Sequence, residues 1–333
     1  VSADRVGASA EDALIARYFR PLATDPGAFG LIDDAAVLDS RGDDIVVTTD
    51  AIVETVHFFP DDPPDTLARK ALRVNLSDLA AKGATPAGFV LGLALRQADD
   101  AWLAPFAEAL GEDARAYGCP LLGGDTDHTP GLITISITAF GRVPPGAMVR
   151  RSGGQAGDRL FVSGTIGEGA LGLDARRGGP VAAALADRPG EREALIARYR
   201  VPQPRVALAQ ALRAHARAAM DVSDGLAGDL AKLCAASGVS ARVEASAVPL
   251  SDAARHALAL RAFSLEAVLG AGDDYEILCA IPEDRCAAFI AAARSAHVPV
   301  SAIGSLVAGD APPLFVDAQG RPLALPRLSY SHF

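Results

Sequence analysis

Residues Asn75–Gly83 read NLSDLAAKG. The leucines and alanines are those of a helix packed on a core, and the glycine suits a helix C-terminus, yet Asn75 and Asp78 sit among them. Upstream, Pro63 and Pro64 precede Asp65, a good N-cap residue, which predicts a helix from Asp65 to Gly83. On that helix Ala71, Asn75, Asp78 and Lys82 share one face. Outward on either side, DDIVVTTDAIV (Asp43–Val53) is β-branched and bounded by turn residues, and Gly88–Leu95 is a second apolar run; both read as strands. The stretch is thus the end of a helix joining two strands, and the rest of the chain repeats that alternation.

A short helix is expected at Glu11–Phe19, another at Ala101–Tyr117, and strands at Cys119–Leu122 and Leu132–Val143. The pattern then breaks at PPGAMVRRSGGQAGD, from Pro144, the best candidate for a domain boundary. Beyond it come a strand at Arg159–Ser163, a Gly-rich turn and helical stretches to about Arg217. A helix from about Asp224, strands at Val239–Glu244 and Tyr275–Ile281, and a helix from Glu283 follow. The expected fold class is α/β with mixed α+β sheets in two domains, 1–146 and 147–333; a chain of 333 residues exceeds what one core usually serves.

Composition narrows the function. A net charge of -10 argues against nucleic acid as partner. No apolar run approaches the ~20 residues that span a bilayer, and the N-terminal residues lack an apolar signal core, so no membrane and a cytoplasmic location are expected. Cys119, Cys234, Cys279 and Cys286 lie far apart without CxxC spacing and read as reduced core residues. Lysine occurs only at 70, 82 and 232, and no GxxxxGK[ST] is present, so any phosphate handling falls to arginine and metal ions.

Short carboxylates recur beside apolar runs. Asp33 and Asp34 open DDAAVL, Asp50 closes IVVTTD behind Thr48 and Thr49, Asp125 lies in the turn LLGGDTD, and Asp221 and Asp224 flank Ser223 in MDVSDG. Singly, each fits a cap or turn, and Asp224 fits a cap on the helix that follows. Asp78 is different, because an aspartate inside a helix caps nothing; a solvated side chain or a pair with Lys82 is the structural alternative to a functional role. Jointly they form a set of hard oxygen ligands, the kind Mg2+ takes together with substrate phosphates. Arg150 and Arg151 are candidate phosphate grips, VSGTIGEGALGL from Val162 is a tight turn with modest anion potential, and no Ser-His-Asp order or HExxH supports a hydrolase.

DDAAVL, TTDAIVETVHF, KALRVNLSDLAAKGATP, LLGGDT, RRSG, MDVSDGL, GDDYEIL and the closing SYSHF, in this order, resemble the thiamine-monophosphate kinase family of the aminoimidazole-ribonucleotide-synthetase-like superfamily. The resemblance runs from about Glu11 to Phe333. It implies a two-domain fold, ATP-dependent phosphorylation of thiamine monophosphate to thiamine diphosphate, and a homodimer built on the N-terminal domains. It also implies several Mg2+ ions held by Asp34, Thr48, Thr49, Asp50, Asp78, Asp125, Asp221 and Asp224. Gly124, Arg151 and Ser223 would contact ATP, with Asp125 at the same place, and His57, Asp273 and Tyr330 the thiamine phosphate. The chain departs from the family at GLIDDAA, where Ile32 replaces a glycine, and at AGDDYEI, where Asp273 replaces a glutamate. The alternatives are another ATP-dependent synthetase of the superfamily and a non-catalytic nucleotide or thiamine-phosphate binder.

Overall fold

The computed structural model describes residues 13–33 and 35–325. Two units divide the chain: one holds the residues up to Asn75 together with Pro86–Arg142, the other Leu76–Thr85 together with everything from Val143 onward.

The first unit is built on four strands, β1 (Asp44–Val53), β2 (Thr85–Leu95), β3 (Leu121–His128) and β4 (Thr134–Val143), in the order β1-β4-β2-β3. Helix α1 (Pro64–Ala81) follows β1, and α2 (Asp100–Ala116) joins β2 to β3, which run parallel. Burial alternates without a break along β4, placing Ile135, Ile137, Ala139 and Val143 inside. Phe89, Phe106, Leu72, Leu110 and Leu121 are fully buried beside them in this unit's core. Ahead of β1, Ile15–Phe19 forms a π-helical turn continued by a 3-10 turn, Arg20–Leu22, where a plain helix was expected.

Several boundaries depart from the sequence reading. Helix α1 begins at Pro64, so Asp65 lies in its first turn instead of capping it. At its other end Gly83 N–H donates to Ala80 O (2.9 Å) and Ala84 N–H to Leu79 O (2.8 Å), with Gly83 at φ +68. That pair of bonds is a Schellman closure, so the glycine does terminate the helix, and Asp78 falls close to its end. β1 runs to Val53 as expected, with Asp50 inside it, whereas Asp125 belongs to strand β3 and not to a turn. There an apparent turn composition, GGDTD, gave way to pairing with β2.

The second unit carries β5 (Arg159–Ser163), β6 (Ala218–Val222), β7 (Ser240–Glu244), β8 (Glu276–Ile281), β9 (Val300–Val307) and β10 (Leu314–Val316) in the order β10-β7-β9-β5-β8-β6. Only β10 and β7 pair in parallel; the other neighbours are antiparallel, so the sheet is mixed. Its helices are α3 (Glu168–Arg176), α4 (Pro180–Ala184), α5 (Pro189–Arg200), α6 (Ala209–His215), α7 (Leu226–Ser237), α8 (Asp252–Ala259), α9 (Leu265–Leu269) and α10 (Cys286–Ser295).

Strand period places the second unit's chemistry. Leu160, Val162, Ala218, Met220, Val222, Leu278 and Ala280 join one apolar cluster, while Phe161, Ala219, Ile277, Cys279 and Ile281 join another together with Ala80 and Ala81. Successive side chains of a strand point to opposite faces, so Asp221 shares the face of Ala219, the one that takes the end of α1. Among the described residues no helix is long and apolar enough to cross a membrane.

Candidate active site

In the first unit the polar candidates lie on β1, β3 and the segment after β1. Asn75 is fully buried near the middle of α1; its Nδ2 donates to Ala71 O (3.0 Å) and its Oδ1 accepts from the Asp50 amide (3.0 Å). A buried amide side chain must be satisfied on both ends, and here that requirement fixes the backbone of Asp50. The Asp50 residue itself is exposed, as are Thr49 and Asp125. Thr49 Oγ1 donates to Ile137 O (3.2 Å) and accepts from Thr138 Oγ1 (3.0 Å), tying β1 to β4. Gly124 stands in register with Leu91, and a Cβ there would come within 2.1 Å of the Leu91 carbonyl oxygen, so β3 approaches β2 too closely for any side chain. His57 Nδ1 accepts from the Val53 amide (3.0 Å), which puts the ring proton on Nε2, and Lys70 Nζ donates to the His57 carbonyl (3.1 Å).

In the second unit the candidates are tighter. Ser77 Oγ donates to Asp221 Oδ2 (2.9 Å), joining the end of α1 to β6. Asp221 is buried, and its carboxyl is pushed well above the usual aspartate range, first by burial and then by the negative charge of Asp78; the Ser77 hydroxyl and Lys82 pull the other way. A carboxylate out of water that feels a second negative charge marks a place that gains from a cation. Asp224 is tied differently. Its carboxylate pairs with Lys232, and the helix cap is Gly225 and not Asp224. Asp229, fully buried in α7, holds the turn ahead of the helix: it accepts from the Ser223 (3.0 Å) and Asp224 (2.9 Å) amides and pairs with Lys232 (2.8 Å). Arg151 is exposed, and its carbonyl accepts from Ser237 Oγ (3.3 Å).

Asp273 lies against this turn. Its amide donates to Ser223 O (2.9 Å), and the amide of Tyr275 donates to Val222 O (2.8 Å). Both residues take left-handed φ, +70 and +53, and the Tyr275 hydroxyl donates to Asp273 Oδ1 (3.3 Å). Between them Asp274 is buried and accepts from the amides of Gly167 (2.7 Å) and Gly169 (3.1 Å); burial pushes its carboxyl up to about 8 against the pull of those amides and of Arg198. Glu276 next to it, also fully buried, accepts from Ser163 Oγ (2.6 Å), Arg205 Nε (2.6 Å) and Arg198 Nη2 (3.0 Å). The Gly-rich turn, the MDVSDG turn and the AGDDYE segment are therefore one hydrogen-bonded platform at the edge of the six-stranded sheet.

Of the residues singled out by sequence, Ser223 is hydrogen-bonded to Asp273, and Asp78 lies near enough for its charge to act on Asp221. Asp34 and Tyr330 lie outside the described residues. Among the described residues no three acidic, histidine or cysteine side chains converge into a closed metal cage. Ser77, Asp229, Asp274 and Glu276 were given no role in the sequence reading, and Asn75 and Lys82 only a place on the helix face of Asp78. Asp229 had a signal, a carboxylate one turn into GLAGDL, whereas the Ser77–Asp221 bond joins residues far apart in sequence and left none.

The profile described as "AIR synthase related protein, N-terminal domain" matches residues 32–143, and that described as "AIR synthase related protein, C-terminal domain" matches 155–317. Fold and profiles together make this a protein of the AIR synthase related class. A thiamine-monophosphate kinase of Caulobacter vibrioides is 44% identical over 96% of this chain and 89% of its own length. The crystal structure of the Stenotrophomonas maltophilia K279a thiamine-monophosphate kinase superposes with a TM-score of 0.81 at 36% identity, covering 94% of this chain and 96% of its own. A structure described as AaThiL complexed with AMPPCP and TMP gives 0.75 at 27%, covering 92% and 97%. The chain belongs to the thiamine-monophosphate kinase family.

Proposed function

We infer that this protein transfers the γ-phosphoryl group of ATP to thiamine monophosphate, giving thiamine diphosphate and ADP. The observation that carries the chemistry is the buried Asp221, which feels the negative charge of Asp78 and the positive charge of Lys82. Such a site serves a cation bound with phosphates, not acid–base catalysis. The acceptor supports this: a phosphate monoester has a second pKa of about 6 and is largely dianionic at neutral pH, so no base is needed to make the nucleophile. An oxygen of that phosphate attacks the γ-phosphorus, the bond to the ADP oxygen breaks, and a pyrophosphate bond forms. Mg2+, when bound, supplies the charge neutralisation that lets two anions approach.

The donor set fits that ion. Asp34, Thr48, Thr49, Asp50 and Asp125 in the first unit, and Asp78, Asp221 and Asp224 in the second, are the ligands we assign. All are hard oxygens, and Mg2+ keeps waters and uses only one or two carboxylates at a time, so no closed cage is required. Asn75 and Ser77 orient Asp50 and Asp221. Asp224 would first have to release Lys232. Gly124, Arg151 and Ser223 are assigned to ATP, and His57, Asp273 and Tyr330 to thiamine monophosphate. In chain order the division of labour falls at 146/147, although Leu76–Thr85 clusters with the second unit.

We assign a homodimer through the first unit as well. β1 is an edge strand with Val47 56% exposed, an uncovered apolar edge of the kind that pairs with a second copy. A cytoplasmic site of action fits the four free cysteines, of which Cys119 and Cys234 have thiols pushed up by burial to about 12 and about 11. The deciding assay presents ATP and Mg2+ with thiamine, thiamine monophosphate or aminoimidazole ribonucleotide precursors in turn. Equal amounts of ADP and thiamine diphosphate from the monophosphate alone are expected. Tight binding of both ligands without turnover would instead make the chain a sensor.

A further inference from the structure

We propose that Lys82 is a built-in counter-ion of the Asp78/Asp221 pair, and that it holds the cation affinity of the second unit low until nucleotide arrives. This rests on the reading of those two aspartates as Mg2+ ligands.

The backbone of Lys82 is pinned from three sides. Its amide donates to Asp78 O (3.0 Å), its carbonyl accepts from the Val149 amide (3.1 Å), and the next carbonyl, of Gly83, accepts from Arg213. Residue 82 also precedes the Schellman glycine, so its position is set by the closure of α1. From there the side chain reaches the outer edge of β6, where Nζ donates to the Ala219 carbonyl (2.9 Å), two residues before Asp221 on the same strand. The ammonium and the carboxylates feel one another: burial, and to a lesser degree Arg151, hold the basicity of Lys82 below that of a free lysine, Asp221 and Asp78 work against that, and Lys82 in turn pulls Asp221 down.

A lysine placed this way acts through its field. It is tied to a carbonyl and not to either carboxylate, so an arriving ion does not have to displace it, in contrast to Lys232, which sits directly on Asp224. The arriving divalent ion is nevertheless repelled by a fixed positive charge in a poorly solvated place, where Coulomb interactions are several times stronger than in water. Lys82 thus supplies part of the charge that the aspartates lack and lowers what they gain from Mg2+ alone. Phosphates of a nucleotide restore the gain by bringing negative charge with the metal. The second unit then fills as metal and nucleotide together.

Calorimetric titration of nucleotide-free protein with Mg2+ alone tests this, using wild type, Lys82→Met, Lys82→Arg and Asp221→Asn. Lys82→Met removes the charge at similar length, and is expected to bind Mg2+ about tenfold more tightly than wild type. Lys82→Arg keeps the charge and should bind as wild type does. The melting temperature, measured with chelator and with Mg2+, should rise further on adding Mg2+ in Lys82→Met than in wild type, even if that variant needs the ion to fold. Equal or weaker Mg2+ binding by Lys82→Met, with no larger thermal gain, overturns the counter-ion role. The underlying assignment fails separately: if Asp221→Asn binds Mg2+ like wild type, Asp221 is no ligand.

Discussion

A buried carboxylate beside another carboxylate is a liability for the fold and an asset for metal chemistry, and Asp221 should show both. Asp221→Asn keeps the shape and the Ser77 bond but removes a charge that burial and Asp78 disfavour. We expect the variant to melt at or above the wild-type temperature in chelator while turnover falls by about 10²–10³-fold, the scale of losing one electrostatic contact to a transferring phosphoryl group. Normal turnover in a folded variant would remove Asp221 from the site. Asp273 calls for a gentler change. At φ +70 an alanine would be strained by about 1–2 kcal/mol, whereas asparagine tolerates the left-handed region. Asp273→Asn is therefore expected to raise KM for thiamine monophosphate several-fold, with KM for ATP and kcat little changed; unchanged KM for both substrates would return Asp273 to a turn-shaping role. At this scale the sequence singled out aspartates in an otherwise apolar setting, and Lys82 on the face of Asp78. What stayed hidden were Ser77 and Asp229, since their meaning depends on which residues meet in the fold.

Elements explain why those residues hold still. The AGDDYE segment is latched by Asp274 to the glycine turn before α3 and by Glu276 to two arginines. The Asp274 carboxyl stands at about 8, above the ordinary aspartate value of 3.8. The folded state therefore holds this proton more tightly than the unfolded one. The stabilisation is fully present below the unfolded value and is lost as pH rises through about 8. We expect the urea midpoint of the wild type to fall between pH 6 and pH 9 by more than that of Asp274→Asn, which has no proton to lose there; parallel pH profiles would mean that Asp274 is ionised throughout. Element positions were legible where periodicity was strong: β4 and α2 fall within two residues of their expected limits. They were least legible where sheet pairing overrode local composition, as when β3 ran through LLGGDTDH. β9 and β10 went unread, one because its burial alternates poorly, the other because it is a short edge strand.

For the whole molecule, the exposed valine on edge strand β1 sets the test of assembly. If the proposed homodimer forms through this edge, wild type runs as a dimer in light scattering and Val47→Lys, which places a charge there, as a monomer with its far-UV dichroism retained; a wild-type monomer, or a dimer that persists in the variant, removes β1 as the contact. The two-domain plan was visible in length and in the turn-rich break after β4. What no break in composition revealed is that the second unit borrows Leu76–Thr85 from far upstream. That loan has a consequence for truncation. A segment beginning after β4 would carry β6 without Ser77 opposite Asp221, and a hydrophobic cluster without Ala80 and Ala81. Cut there, the second unit loses both the hydroxyl that holds Asp221 and part of one face of its core.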